Sequence, residues 1–422
     1  MNLSRAAIVC GLVLVLSSIL LGQTAAVFDG MVQDVVQKTL FKVGPFRIYP
    51  LFKFSTFSWV SNIFGFANNL NRISDLLITP SPEVSAYLLY KRYLILSFTE
   101  NPEYYFYLFQ SGYRGLTNNY RAEARMLLFN RLIVSGRYDN SWQRYLGYQE
   151  LARVVQGRTD GFTGSLSTET SRGTSLALEA RLSRLSYQDV QVSGAQSGGI
   201  SSRLDRRERT GSVEVGYRLF SATRFVLSGA YSEYDFVLSD SSWRTSRAAE
   251  VTAGLQFPGM GRLRGSLMFG FRKFMPKAQG TRGYSGLVAN AGLEYRIEDL
   301  GVLNLSFSRD NSFSLFQDYL FYIDTSIDGR LTFRTFDFLF IRLGGHYGLL
   351  DYPPQNIAGV TNPASGPGVV KDHYSSASGG IIVRFSRSFG IGLTYQVWLR
   401  VSRILGGNYN GNLVTIEIIR SF

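Results

Sequence analysis

The feature that most constrains this chain is an alternation of apolar and polar residues with period two, repeated in segment after segment. From Gly261 to Phe274, Leu263, Gly265, Leu267, Phe269 and Phe271 share one face, and Arg262, Arg264, Ser266, Met268, Gly270 and Arg272 share the other. Phe389 to Arg400 repeats the pattern, with Phe389, Ile391, Leu393, Tyr395, Val397 and Leu399 opposite Gly390, Gly392, Thr394, Gln396, Trp398 and Arg400. The same reading fits Val213, Val215, Tyr217 and Leu219, then Phe225, Leu227, Gly229 and Tyr231. Period two is the signature of strands, because successive side chains leave a strand on opposite sides. A soluble sandwich would turn the apolar face inward. In a membrane barrel that face meets lipid and the polar face lines the lumen, and about ten residues suffice to cross the hydrocarbon at a tilt.

The connections have their own rhythm. Tight turns are predicted at Lys91-Arg92, Asn130, Ser171-Arg172-Gly173, Ser221-Ala222-Thr223, Pro258 to Gly261, Glu298-Asp299, Thr335-Phe336 and Ser386-Arg387-Ser388. They alternate with longer polar stretches: Ser58 to Pro80, Glu100 to Asn118, the region after Asn140, Gln188 to Arg207, Val237 to Arg244, Met275 to Tyr284, Asp310 to Asp318, Asp351 to His373 and Ile404 to Asn410. Short turns at one end and long loops at the other describe an all-β, antiparallel, up-and-down transmembrane barrel. Counting from a first strand at Pro45 to Phe57 gives 16 to 18 strands, with 18 the preferred number, an even count that puts both termini at the turn end. The count is weakest from Asn140 to Thr170, where Gly157, Gly161 and Gly164 blur the alternation.

The ends of the chain fit this reading. Met1 to Arg5, an apolar run from Ala6 to Leu21, and Thr24-Ala25-Ala26 have the layout of a secretory signal cleaved after Ala26. The run is too short for a spanning helix and contains Gly11 and two serines. Cys10 is the only cysteine, so a chain without this signal has no disulfide. Residues 27–44 form an N-terminal segment expected on the periplasmic side. There Phe28, Met31, Val32, Val35 and Val36 stand at helical spacing, consistent with a free short helix or one tucked into the barrel. Residues 45–422 form the barrel itself, a single unit with no linker or charge block to divide it. Phe422 closes an alternating last strand with Val414, Ile416 and Ile418 on one face, the form of an assembly signal read by the barrel-assembly machinery, although Arg420 is unusual in it.

Lys and Arg number 44 against 31 Asp and Glu, a formal charge of +13. The excess is dispersed, with no basic helix, zinc-ligand spacing or RNA-binding strand motif, so no nucleic-acid partner is expected. Arg262, Arg264, Arg272, Arg342, Arg384 and Arg400 fall on polar strand faces and are the candidate lumen-lining bases. They either make a positive interior that favours anionic solutes or acidic glycans, or pair with lumen carboxylates such as Glu179, Glu214, Glu250 and Glu294. For any single arginine, pairing is the simpler reading. The loop Ser201 to Arg209 reads as a mixed-charge cluster that either contacts anionic lipopolysaccharide or is a solvated set of ion pairs. Tyr352-Pro353-Pro354 through Pro367-Gly368 is a long loop that either folds inward as a constriction or moves freely. Aromatic residues make up 14% of the chain and gather near strand ends, as the interfacial girdles of a barrel require.

Catalytic chemistry has little foothold. His346 and His373 are the only histidines. Ser375 shares parity with His373 and is the one nucleophile that alternation places beside a base. His346 sits on a polar face with Arg342. There is no nucleophile elbow, no phosphate-binding loop and no metal-ligand spacing, so no cofactor and no enzyme activity are expected.

Val43-Gly44-Pro45-Phe46-Arg47-Ile48-Tyr49-Pro50, followed by Ser61-Asn62-Ile63-Phe64, resembles the opening of a family of outer-membrane β-barrel porins, the second of that name. Ser61 stands where the family usually has Asp. The resemblance implies a bacterial outer-membrane barrel, and for some members a link to exopolysaccharide or capsule export, with no catalytic residues to carry over. The expectation is therefore a porin or export conduit for small solutes or polysaccharide. Outer-membrane lipid, lipopolysaccharide, the assembly machinery and polysaccharide-export components are its expected partners. A plugged structural barrel or adhesin is the alternative, and an outer-membrane hydrolase a third.

Overall fold

The computed structural model describes residues 24–62, 73–146, 154–189, 201–221, 223–258, 261–316, 318–353, 370–386, 389–403 and 407–420. A helix α1 (Thr24–Lys38) and a short strand β1 (Phe41–Val43) precede the long strands. These are β2 (Phe46–Val60), β3 (Asp75–Tyr90), β4 (Leu94–Tyr107), β5 (Gly115–Leu128), β6 (Leu132–Leu146), β7 (Val154–Glu169), β8 (Thr174–Asp189), β9 (Arg206–Phe220) and β10 (Thr223–Phe236). They continue as β11 (Ser246–Pro258), β12 (Leu263–Pro276), β13 (Tyr284–Ile297), β14 (Gly301–Phe313), β15 (Phe321–Phe336), β16 (Leu339–Tyr352), β17 (Val370–Arg384), β18 (Phe389–Ser402) and β19 (Gly407–Arg420). Each pairs antiparallel with the next in sequence, and β19 pairs with β2, so the eighteen long strands close into one barrel. No described helix is long and apolar enough to cross a membrane.

Strands of 13 to 16 residues exceed what a bilayer needs, so they continue past the membrane and shorten the loops. The predicted long connection Ser58 to Pro80 is therefore strand at both ends: β2 runs on to Val60, and β3 begins at Asp75 and runs through Pro80 and Pro82. Proline has no N–H to give a ladder, and the pairing of β3 with β4 is interrupted between Ile78↔Phe106 and Val84↔Glu100, where Pro80, Pro82 and Pro102 lie. Gly157, Gly161 and Gly164 are all inside β7; on the outer face the Phe162 ring lies 3.9 Å from where a side chain at Gly136 would begin and 4.0 Å from that of Gly164, covering these two, whereas Gly157 and Gly161 face inward. The turn predicted at Thr335-Phe336 falls at Asp337-Phe338, because β15 runs on to Phe336. At the β5–β6 turn, Phe129 and Asn130 have φ of 52° and 57°, the left-handed pair a tight hairpin demands.

Alternation sorts the side chains as expected. Phe269, Phe271, Leu287, Val251 and Leu343 lie on the exposed outer face, with Phe269 at 59%. Among the described residues there is no central core, since an 18-strand barrel is too wide for its inner side chains to meet across it. Buried clusters sit at the rims instead. One gathers Tyr234, Phe236, Phe274, Leu315, Leu320 and Phe321 at the loop end, and another gathers Phe28, Ile95, Leu127 and Ile133 at the turn end.

Closure is uneven. Between β19 and β2 the pairing runs only from Leu413↔Val60 to Ile416↔Phe57, whereas β18 and β19 pair from Phe389↔Arg420 to Ser402↔Gly407. The turn-end edge of β2 is met by β1, which folds back through Gly44, at φ +57°, to pair Phe41–Val43 with Phe46–Ile48.

Candidate functional site in the barrel lumen

The inner face is identified by what touches α1. Phe28 is fully buried against Ile95, Leu127 and Ile133, with Met31, Val32 and Leu89 around it, so the helix is tucked into the turn end of the barrel against β3 to β6. Its first residue is tied to the wall: Thr24 Oγ1 donates to the Glu169 carbonyl at 3.2 Å and accepts from the Glu169 N–H at 3.1 Å. The Glu169 carboxylate holds Arg218 at 3.1 Å and Arg224 at 2.9 Å. Following the register from Ile133 through Ser167 and Ala177 puts Glu214, Ser228 and Thr252 on the same inner face.

On that face guanidinium and carboxylate groups are interleaved and largely paired. Arg272, on β12, reaches both oxygens of Asp310 at 2.5 and 2.7 Å, donates to the Tyr234 hydroxyl at 2.7 Å, and has Glu250 at 3.7 Å. Beside it Arg206 bonds Glu208 at 2.7 Å and lies 5.0 Å from the centre of the Phe313 ring. Arg342 meets Glu417 at 2.5 Å across the three steps from β16 to β19. Arg400 is nearly buried and meets fully buried Asp372 at 3.0 Å; Ser402 and the Arg403 N–H complete that carboxylate at 2.6 and 2.9 Å. Arg384 lies over the Phe340 ring at 4.3 Å. Arg264 is an exposed inner-face residue at the turn end, register partner of Glu294, which pairs with Arg296 at 3.1 Å. Arg262 lies just before β12, in the turn, and pairs with Glu298 at 2.6 Å. Phe422 and the loop from Pro354 to Gly368 lie outside the described residues.

His346 faces inward, 3.8 Å from Asp328 and beside the Tyr374 ring. His373 faces outward, its Nδ1 2.9 Å from the Tyr347 hydroxyl, and Ser375 shares that outer face as the register partner of Tyr347. Among the described residues no group of His, Cys, Asp and Glu is arranged to hold a metal ion.

Several lumen residues escaped the sequence reading. Asp310 and Asp372 fall within predicted long connections, because strand extension beyond the apolar zone leaves no hydrophobic mark. The cluster Ser201 to Arg209 divides by parity: after a 3-10 turn at Ser201–Leu204, Arg206 and Glu208 point inward, whereas Arg207 and Arg209 point outward. At the loop end, buried Arg244 donates to the carbonyls of Ser314 and, at 2.9 Å, Phe316, locking the β10–β11 and β14–β15 loops together over that side of the mouth.

A family model described as "Putative beta-barrel porin 2" matches residues 41–421. Among solved structures, the copper transporter OprC is similar with a TM-score of 0.46 and 10% identity over 86% of this chain and 62% of that one. FpvAI, from its complex with pyocin S2, gives 0.45 and 12% over 86% and 57%. The FrpB iron transporter from Neisseria meningitidis gives 0.44 and 9% over 88% and 63%. The chain thus spans between 57% and 63% of the length of these three. No curated protein matches it.

Proposed function

Since the chain belongs to this β-barrel porin family, we propose that it is a gated conduit through the outer membrane for hydrophilic solutes, with small uncharged solutes and polysaccharide the favoured cargo. The observation that carries this reading is the closed wall of eighteen strands with an apolar outer face and an inner face of paired acids and bases. A wall of this strand number encloses a lumen wide enough for water and solutes. Paired guanidinium and carboxylate groups offer hydrogen-bond donors and acceptors with little net field, which suits hydroxyl-rich chains better than strongly charged ions.

Helix α1 is the gate in this reading. It occupies the turn end, which faces the periplasm, and is anchored chiefly through Phe28 and Thr24. Export with removal of Met1 to Ala26 belongs to the same proposal; it would take away Thr24 and leave Phe28 as the main anchor. N-terminal sequencing of the protein isolated from membranes tests that step. The locked loops at the other mouth support a second reading, a closed barrel serving as scaffold.

Planar-bilayer recording of the purified protein separates the two. The conduit predicts steps of conductance with weak ion selectivity, more frequent openings in Phe28→Ala, and swelling of protein-loaded liposomes in small sugars. Silence of both wild type and Phe28→Ala, with no swelling, would leave the scaffold.

A further inference from the structure

Part of the positive charge of the chain lies on the outer wall. Going up β9 from the turn end, the outward positions are Leu219, Tyr217, Val215, Val213 and Gly211, then Arg209 and Arg207. The apolar part spans about the nine residues that cross a hydrocarbon layer, so the arginines stand at headgroup level on the loop side. β8 and β11 do the same, with Leu178, Ala180 and Leu182 leading to Arg184 and Leu255, Ala253, Val251 and Ala249 leading to Arg247, whereas β10 between β9 and β11 leads to Glu233 and Asp235.

Arg184 and Arg207 are direct cross-strand partners, both exposed and both outward, while on the β10 side Arg207 stands opposite Asp235 and Arg209 opposite Glu233. Like charges placed opposite one another on a sheet repel. Neither has an ion pair among the described residues, although Asp205 lies close enough to Arg184 to feel its charge. The carboxylates on this belt are engaged: Asp160 with Arg158 at 3.0 Å, Glu233 with Arg247 at 3.2 Å, and Asp235 with Lys277 at 3.4 Å. Arg209 touches Glu233 and Asp235 only at 4.0 Å.

We propose that Arg184, Arg207 and Arg209 form a site on the outer wall for a glycolipid of the outer leaflet whose headgroup carries two phosphates, the lipopolysaccharide class. The phosphates would be shared between the guanidinium forks, which match them two bonds at a time. The acyl chains would lie on the exposed apolar strip directly beneath, where Leu182, Val213, Tyr231 and Val251 are open. That continuity of charge and apolar surface selects a lipid over a free anion. The assignment rests on the membrane placement of the barrel and not on what passes through its lumen.

The test uses the full-length protein in neutral detergent, titrated with bisphosphorylated lipid A, its fully dephosphorylated form, and inorganic pyrophosphate, with binding read by native mass spectrometry. Bisphosphorylated lipid A should be retained, and the other two should not. Arg184→Gln/Arg207→Gln should weaken retention at least about tenfold, roughly one charge-assisted phosphate contact, whereas Lys371→Gln, on the outer face of β17, should not change it. Thermal midpoints in detergent alone, measured first, show that the variants fold. Equal retention by wild type and the double variant would overturn the site, equal retention of dephosphorylated lipid A would remove the role of phosphate, and equal binding of pyrophosphate would remove the lipid.

Discussion

Asp372 illustrates how this chain spends its charged residues. A fully buried carboxylate is tolerable only when paired and hydrogen-bonded, and Asp372 has Arg400, Ser402 and a backbone N–H around it. Arg400→Met strands that carboxylate and should cost about 3–5 kcal/mol, the usual penalty for breaking a buried pair, seen as an earlier urea midpoint in detergent. Asp205, in the loop before β9, is the opposite case. Burial pushes its carboxyl above the usual range, against the Tyr187 N–H and the Arg184 and Arg206 charges that favour the anion. Its charged form is therefore disfavoured on folding, so its contribution to stability is greatest below the ordinary carboxylate range and is lost as pH rises through the raised value. Asp205→Asn keeps an acceptor for the Tyr187 N–H and should be at least as stable as wild type at neutral pH, with the advantage gone in acid. A variant less stable at neutral pH would contradict this. Neither partner set was legible in the sequence, because which acid meets which base depends on register and strand extension, and a one-residue shift reverses every side chain.

At the level of elements, the strands themselves were readable from alternation, because the outer face must be apolar where it meets lipid, and the turns at Lys91-Arg92, Asn130, Ser171 to Gly173, Glu298-Asp299 and Thr335-Phe336 fall within two residues of their predicted places; those at Ser221 to Thr223, Pro258 to Gly261 and Ser386 to Ser388 include residues outside the described ones. The ends of strands beyond that zone were not readable, nor was the seat of α1: Phe28, Met31 and Val32 mark an amphipathic helix without saying which surface it meets. The seam between β19 and β2 was equally invisible. Pairing there covers Leu413 to Ile416, with β1 against the other half of β2. Backbone groups with fewer ladder bonds open more readily. Amide hydrogen exchange should therefore be faster at the turn-end half of β19, beyond Ile416, than at Leu413 to Ile416 or anywhere within β12, which is paired along its length on both sides. Uniform protection around the barrel would show the seam to be as firm as the rest.

Across the described residues, the chain is arranged inside out relative to a soluble protein, with paired charges within and apolar side chains without. Phe269→Arg, in the middle of the outer band, should lower stability by about 2–4 kcal/mol in lipid, while Ser266→Arg on the inner face of the same strand should be tolerated; refolding titrations into liposomes compare them. The most direct test of the arrangement is a nitroxide scan along β12, one cysteine at a time from Leu263 to Arg272 in a chain whose only native cysteine is Cys10. With the protein in lipid bilayers, the odd positions should relax with oxygen dissolved in the membrane, and the even positions with a water-soluble nickel chelate reaching them through the lumen. If both sets respond to the chelate alone, the wall stands in water on both sides, and neither the membrane barrel nor the conduit survives.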